Sequence, residues 1–552
     1  MEVTLTKPSG GILSQSKDDT PPPTTGLAPY TGPWTESEVI HLLKRALFGA
    51  KRSDIAYFKT LTCAQAVDLL LTLPPDPPAP PVKEYATPAN ATNPDTNILQ
   101  GDTWVNDPNN DGTVNSLRRN SFKKWWMGLM INQDQNLREK MTLFWHNHLA
   151  TESTEVNAQF LYKHHALLRS FALGNFKALM KAVTIDPAML VYLNGQLNQA
   201  VAPDENYGRE LQELFCCGKG PGSLFTEEDV QASARVLTGW RNNVNTISSF
   251  FDNNRHDKKD KKFSSFYNNT VIIGKNGPTA GEEELDAMLD MIFATNEVAE
   301  YMCRRFYRWF VYYDIDETVE NNIIKPLAVI FRNANYEVAP VLRTLLMSEH
   351  FYDILSRGCQ IKSPVDLTVG LCREFEIPFE PAPEYTINYG HWNYLVNQCN
   401  NLQQNIGDPP DVSGWKAYYQ EPQFYEIWIN SDTLPKRNQF TDTMVMNGFT
   451  FGGKRMIING AEFAKTFSNP GDPNQLINEF TKLMYRLDIS DTSKAQIKKD
   501  ILLGGQSEDY YWTNAWNQYI NNPGDMANAT TVRNYIRDLL KYLMNLAEYQ
   551  LA

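Results

Sequence analysis

The sequence predicts a mainly α-helical protein: a multi-helix globular core with a small β-hairpin excursion and long Pro-rich and aromatic loops. Three observations predict it. Apolar residues recur at three- and four-residue spacing over most of the chain, the period of helices that bury one face. Strand-like clusters are confined to residues 245–274. Proline pairs such as Pro74-Pro75, Pro77-Pro78 and Pro80-Pro81 remove backbone donors, so the stretch they occupy is neither helix nor central strand.

In chain order, residues 1–33 are rich in Pro, Thr, Ser and Gly and read as a flexible tail. A helical core follows over 34–440, with two helical patterns in 35–73 and a Pro/Asp-rich loop insertion over 74–115, of which residues 74–96 read as a long surface loop in polyproline geometry. Helical periodicity resumes at about 116–148 and about 156–193. Ile247, Phe250, Phe251, Phe263, Phe266, Tyr267 and Val271 form the strand excursion around a charged turn. Helices dominate 281–350, and residues 380–430 read as loop-rich and aromatic. Residues 441–552 read as a C-terminal helical extension. The 552 residues, 42% hydrophobic and 12% aromatic, are ample for a large core. The net charge of -13 argues against a nucleic-acid binder. No apolar run is long enough to span a bilayer.

The densest pattern is Asn206-Tyr-Gly-Arg-Glu-Leu-Gln-Glu-Leu-Phe215, followed by a helix opening at Thr226. Glu210 and Glu213 are three apart and share a helix face beside the Leu211, Leu214 and Phe215 stripe. Gly218 stands where a left-handed C-cap belongs. Thr226 with Asp229 makes a capping-box-like pair, and Gly239 ends the second helix before Trp240. One reading is a helical hairpin with ion-paired or solvated charges. The other places Glu210 or Glu213 in a polar pocket, held by Arg209 or Arg235, as candidate catalytic residues.

Several blocks together resemble the bacterial domain-of-unknown-function family 1800. They are His41-Leu-Leu-Lys-Arg-Ala-Leu-Phe48-Gly49, Leu137 to His148, the Asn206–Phe215 helix through Asn206, Arg209, Glu210, Glu213 and Phe215, His256-Asp257 with Lys261, and Pro409-Pro410, Gly414-Trp415 and Trp428-Ile-Asn430. The resemblance runs from about residue 36 to about 440. It implies a large, mainly helical bacterial protein, often on or outside the cell, and no known substrate.

Three constellations could carry chemistry. His146 and His148, joined by His256, Asp257, Glu210 and Glu213, form a nitrogen/oxygen set suited to a divalent transition metal, if they meet. Otherwise the two histidines hydrogen-bond backbone beside Phe144-Trp145. Asp107, Asn109, Asp111 and Thr113 match the first half of a calcium loop, although Arg118 stands where the twelfth-position acid belongs. Trp415, Tyr418, Tyr419 and Trp428 could form a platform for sugars, peptides or partner proteins, or lie in the core. Gly448 to Lys454 has phosphate-loop spacing, but Arg455 replaces the magnesium-binding hydroxyl, which favours an ordinary glycine turn.

Two function classes follow. In the preferred one, the protein is a metal-assisted hydrolase-like enzyme with a His/Glu/Asp pocket. In the alternative, it is a non-catalytic surface, polymer-binding or assembly protein using exposed aromatic loops. Localisation stays open. The N-terminus shows no signal peptide, and the seven cysteines have no paired spacing, which favours the cytoplasm. The family resemblance favours export.

Overall fold

The computed structural model describes residues 24–86, 89–381, 384–415 and 426–552. It is mainly α-helical, with three separate two-stranded antiparallel sheets among the described residues. Tyr418, Tyr419 and residues 1–23 of the expected tail lie outside them. Residues 24–33, also read as tail, are tied down: Tyr30 donates to the Met347 carbonyl at 2.7 Å, and Ala28 accepts from Glu349 at 2.8 Å.

The 35–73 region forms three helices rather than two: α1 (Glu36–Ala46), α2 (Arg52–Phe58) and α3 (Cys63–Leu71). A Thr35–Glu38 capping box starts α1, and Lys44 and Arg45 close it, each end matching the helix dipole. The pattern at 116–148 resolves into α4 (Gly112–Ile131) and α5 (Arg138–His148). Next come α6 (Ala158–Ser170), α7 (Phe176–Thr184), α8 (Pro187–Tyr192), α9 (Asn206–Glu210) and α10 (Glu227–Val236). The α9 helix continues as a wider π-helical turn, Leu211–Cys216.

The Thr226 cap forms as its residues require. Its hydroxyl accepts from Asp229 N, and the Asp229 carboxylate accepts from Thr226 N at 2.7 Å. Thr226→Ala is expected to lower stability by about 1 kcal/mol. Urea unfolding measures it, and a loss under about 0.3 kcal/mol would show that the cap is redundant.

The β excursion starts earlier than expected and splits in two. Strand β1 (Trp240–Asn243) pairs with β2 (Ser248–Phe251), and β3 (Lys261–Lys262) with β4 (Val271–Ile272). Gly239, at φ 97°, makes the helix-to-strand turn that other residues resist. Six helices follow: α11 (Ala280–Phe293), α12 (Asn296–Phe310), α13 (Glu317–Val319), α14 (Lys325–Asn333), α15 (Val338–Leu346) and α16 (Glu349–Tyr352).

The region read as loop-rich contains one long helix. After α17 (Pro364–Glu374), α18 spans Tyr385–Asn401. Its sequence is rich in Asn and aromatics, weak helix formers, so propensity hides it. Packing decides instead: Asn388, Tyr389, Leu395, Val396 and Cys399 line a buried face. A Cβ on Gly128 would meet the Trp392 ring at 2.7 Å, so glycine lets that ring lie against α4.

The remainder comprises α19 (Thr433–Met446), hairpin β5 (Phe449–Phe451) and β6 (Lys454–Met456), α20 (Gly460–Ala464), α21 (Pro473–Met484), α22 (Asp491–Ile497), α23 (Tyr510–Asn521) and α24 (Met526–Met544). The glycine run at 448–454 is thus a hairpin turn. One hydrophobic core joins Leu42 and Leu43 of α1 to Ile536 and Leu540 of α24, so the C-terminal helices share it with the rest.

Candidate functional site

The helical hairpin brings Arg209 to glutamates but sends Arg235 elsewhere. Arg209 forks onto Glu227 at 2.8 and 2.6 Å and lies 3.5 Å from Glu213. Glu213 also takes Lys219 at 2.7 Å. Arg235 pairs instead with Asp257 at 2.7 Å. The π-helical turn accounts for part of this, because it advances Glu213 by less than the usual helical angle. Glu210 forms no ion pair among the described residues. Burial and the neighbouring Glu213 raise its carboxyl above the usual range. Burial and the carboxylates of Glu152, Asp411, Glu155 and Glu210 push the Tyr192 hydroxyl up to about 12.

His148 acts as a tether. His148 Nε2 meets the Phe215 carbonyl at 2.9 Å, fixing α5 to the end of the hairpin helix. Asn147 accepts from Trp415 N at 2.8 Å, and Gly414 lies so close to Asn147 that a Cβ would reach 2.2 Å from its carbonyl. Three sequence blocks therefore meet around residues 146–148, held by neutral groups. Burial drives His146 down to about 3 and His148 well below the usual histidine range.

His256 lies in a different contact set. Its Nε2 is 3.0 Å from Glu284, which also takes Lys261 at 2.5 Å, all three fully buried. His148, His256 and Asp257 thus have separate partners. Among the described residues, no group of three or more His, Cys, Asp or Glu is placed to hold a metal ion. His146 Nε2 and both nitrogens of His165 are buried without hydrogen bonds, and both rings pack on Trp126 at 5.0 and 4.6 Å. Two imidazoles alone fall short of a zinc-type ligand set.

The calcium-loop residues are engaged within the protein. Asp111 caps α4 through Thr113 N and Val114 N, and its other oxygen takes Thr92 N at 2.7 Å. Asn109 binds the Asn93 carbonyl and Asp95. Asp107 pairs at 2.8 Å with Arg118, whose guanidinium also grips Asp95. The residue that departs from the calcium pattern thus brings its own cation. The same contacts bury Tyr85 and Asp95, so residues 74–96 are not a surface loop throughout.

The aromatic platform fails where it can be described. Trp415 and Trp428 are 2% and 1% exposed, as core residues. The cysteines are free thiols, and burial raises Cys217 to about 12.

A cleft that the sequence did not point to lies between α4, α17 and α18. Its volume is 730 Å³, and Trp125, Tyr385, Tyr389 and Trp392 supply its aromatic faces. Glu376, Glu380 and Glu384 stand against Lys51 and Arg373, so opposite charges are nearly balanced. Ala79, Pro80 and Val82 of the Pro-rich loop form one wall, which gives that loop a role beside the opening. Trp125 is oriented by its indole N–H on the Ala79 carbonyl at 2.7 Å, and Tyr389 by Val82 N on its hydroxyl at 3.3 Å. Tyr385, Tyr389 and Trp392 have helical spacing, a signal that reading the segment as loop concealed.

No curated protein and no solved structure matches the chain. A family match covers residues 41–551, including the C-terminal helices that the resemblance read from the sequence left out. That span is nearly the whole chain, and it shows that the chain belongs to the family described as "Protein of unknown function (DUF1800)".

Proposed function

We propose that the protein is a binding protein whose ligand is a neutral, polyhydroxylated chain, an oligosaccharide of a few units, seated in the α4/α17/α18 cleft. The composition of that cleft carries the reading. Aromatic faces stack against the C–H faces of sugar rings, and carboxylates and amides satisfy their hydroxyls. The near balance of Glu376, Glu380 and Glu384 against Lys51 and Arg373 disfavours a strongly charged ligand. A cavity of 730 Å³ lies in the range of small-ligand sites. This polymer-binding reading is preferred to a metal-assisted hydrolase because the described His, Glu and Asp residues form no group of three or more that could hold a metal ion.

Calorimetric titration with a panel of neutral oligosaccharides tests it. The expected result is saturable binding with a Kd of about 1 mM or tighter, weakened at least about tenfold by Trp392→Ala or Glu384→Gln. Glu384 is exposed, so that variant should fold normally. If no oligosaccharide binds below about 10 mM, or if both variants bind like the parent, the cleft is not a saccharide site.

A further inference from the structure

A second site follows from positive charge that the fold buries among neutral acceptors and an aromatic ring. Arg45, Lys362, Arg437 and Arg486 are 3%, 5%, 0% and 8% exposed. Among the described residues, none of them forms an ion pair with an Asp or Glu. Nearby, Lys44 already takes Glu374 at 2.6 Å, and Arg357 takes Glu38 at 3.0 Å. The cations press on one another. Lys362 feels Lys44, Arg437 and Arg486, and Arg486 feels Arg357 and Arg45, with Glu374 the opposing charge in both cases. Arg45 donates to the Ala552 carbonyl oxygen at 3.0 Å. Buried charge left unpaired is expensive, and in a chain of net charge -13 such a local positive excess calls for a counter-ion.

Arg45 and Arg486 each border an opening, Arg45 a small one and Arg486 a larger one. A cleft of 430 Å³, beside the end of α21 and the start of α22, is lined by Ser37, Lys482, Arg486 and Lys494. Arg486 donates to the Lys482 carbonyl at 3.0 Å, and its Nε has no partner. Ser37 carries the cluster to the opposite wall, accepting from Arg357 at 3.0 Å. The acids near the mouth are partly engaged: Asp488 with Lys494 at 2.8 Å, and Glu36 with Lys59 and Lys482 at 2.8 and 3.6 Å. Asp491 also lines the cleft.

We propose that this cleft is an oxyanion site for phosphate or the phosphate group of a phosphomonoester. Arg486 is its buried anchor, and Lys482 and Lys494 are its rim donors. A guanidinium offers a tetrahedral oxyanion a planar fork, and the ammonium groups add point charges. The site is separate from the aromatic cleft and does not depend on what that cleft binds.

The test is calorimetric titration of the full chain at constant ionic strength, with inorganic phosphate in one arm and glycerol 3-phosphate in the other. Saturable binding is expected, with a Kd of about 1 mM or tighter for at least one probe. Tighter binding of the ester identifies a phosphorylated metabolite as the ligand, and equal or weaker binding identifies free phosphate. Arg486→Gln should weaken binding at least about tenfold. Because Arg486 is buried, Lys482→Gln/Lys494→Gln provides a rim variant that should keep its fold and bind about three- to tenfold more weakly. The absence of saturable binding by the folded parent overturns the proposal, as does a rim variant that binds both probes like the parent.

Discussion

Glu284→Ala is expected to destabilise the protein by about 3–5 kcal/mol, a large loss for a single substitution. Glu284 sits on α11 at 0% exposure and accepts from three directions: His256 Nε2 at 3.0 Å, Lys261 Nζ at 2.5 Å and Lys275 N at 2.7 Å. Removing the carboxylate strands the Lys261 ammonium, also at 0% exposure, with the Asp257 carbonyl as its remaining acceptor. That penalty is the desolvation of an uncompensated buried charge, larger than one lost hydrogen bond. Glu284→Gln should fall between, since it keeps an acceptor and loses the charge. Replacing both partners, as Glu284→Met/Lys261→Met, should recover much of the loss because neither charge is then stranded. Urea unfolding of Glu284→Ala, Glu284→Gln, the double variant and its two singles decides it. A Glu284→Ala loss under about 1 kcal/mol, or a double variant as unstable as the sum of its singles, would refute the account.

This pair also explains why the candidate site was only partly legible. His256, Asp257 and Lys261 stand out in sequence as a compact block, which suggested ligands. Their partners Glu284, Arg235 and Thr238 come from other segments, and only folding reveals that the block closes on them. Local signals fared better. The Thr226–Asp229 cap, the Gly218 and Gly239 turns and the mainly helical class depend on neighbouring residues and were readable. The α18 helix was not, because its stability comes from lying against α4 over Gly128, a contact between residues far apart in the chain. The cleft was missed for the same reason: its walls come from the Pro-rich loop, α4, α17 and α18.

Arg118→Met is expected to cost about 3–5 kcal/mol, and the calcium-like loop explains why. Arg118 is fully buried and clamps Asp95 through Nε at 2.9 Å and Nη2 at 2.6 Å. It also reaches the Asp107 carbonyl at 2.6 Å and the Asp107 carboxylate at 2.8 Å. Tyr85 donates to the same Asp95 at 2.6 Å, so the guanidinium holds the 74–115 insertion onto α4. Methionine fills similar space but leaves Asp95, at 0% exposure, without a cation. Arg118→Lys should recover only part of the loss, because one ammonium cannot reproduce the bidentate fork. The guanidinium also bridges Asp95 and Asp107 as a fixed cation. Millimolar calcium should therefore leave the parent's Tm unchanged within about 1 °C, and should raise that of Arg118→Ala, where two carboxylates face a vacated space. Calcium stabilising the parent would show that Arg118 does not substitute for the ion. An Arg118→Met loss under about 1 kcal/mol would show that Asp95 finds its compensation elsewhere.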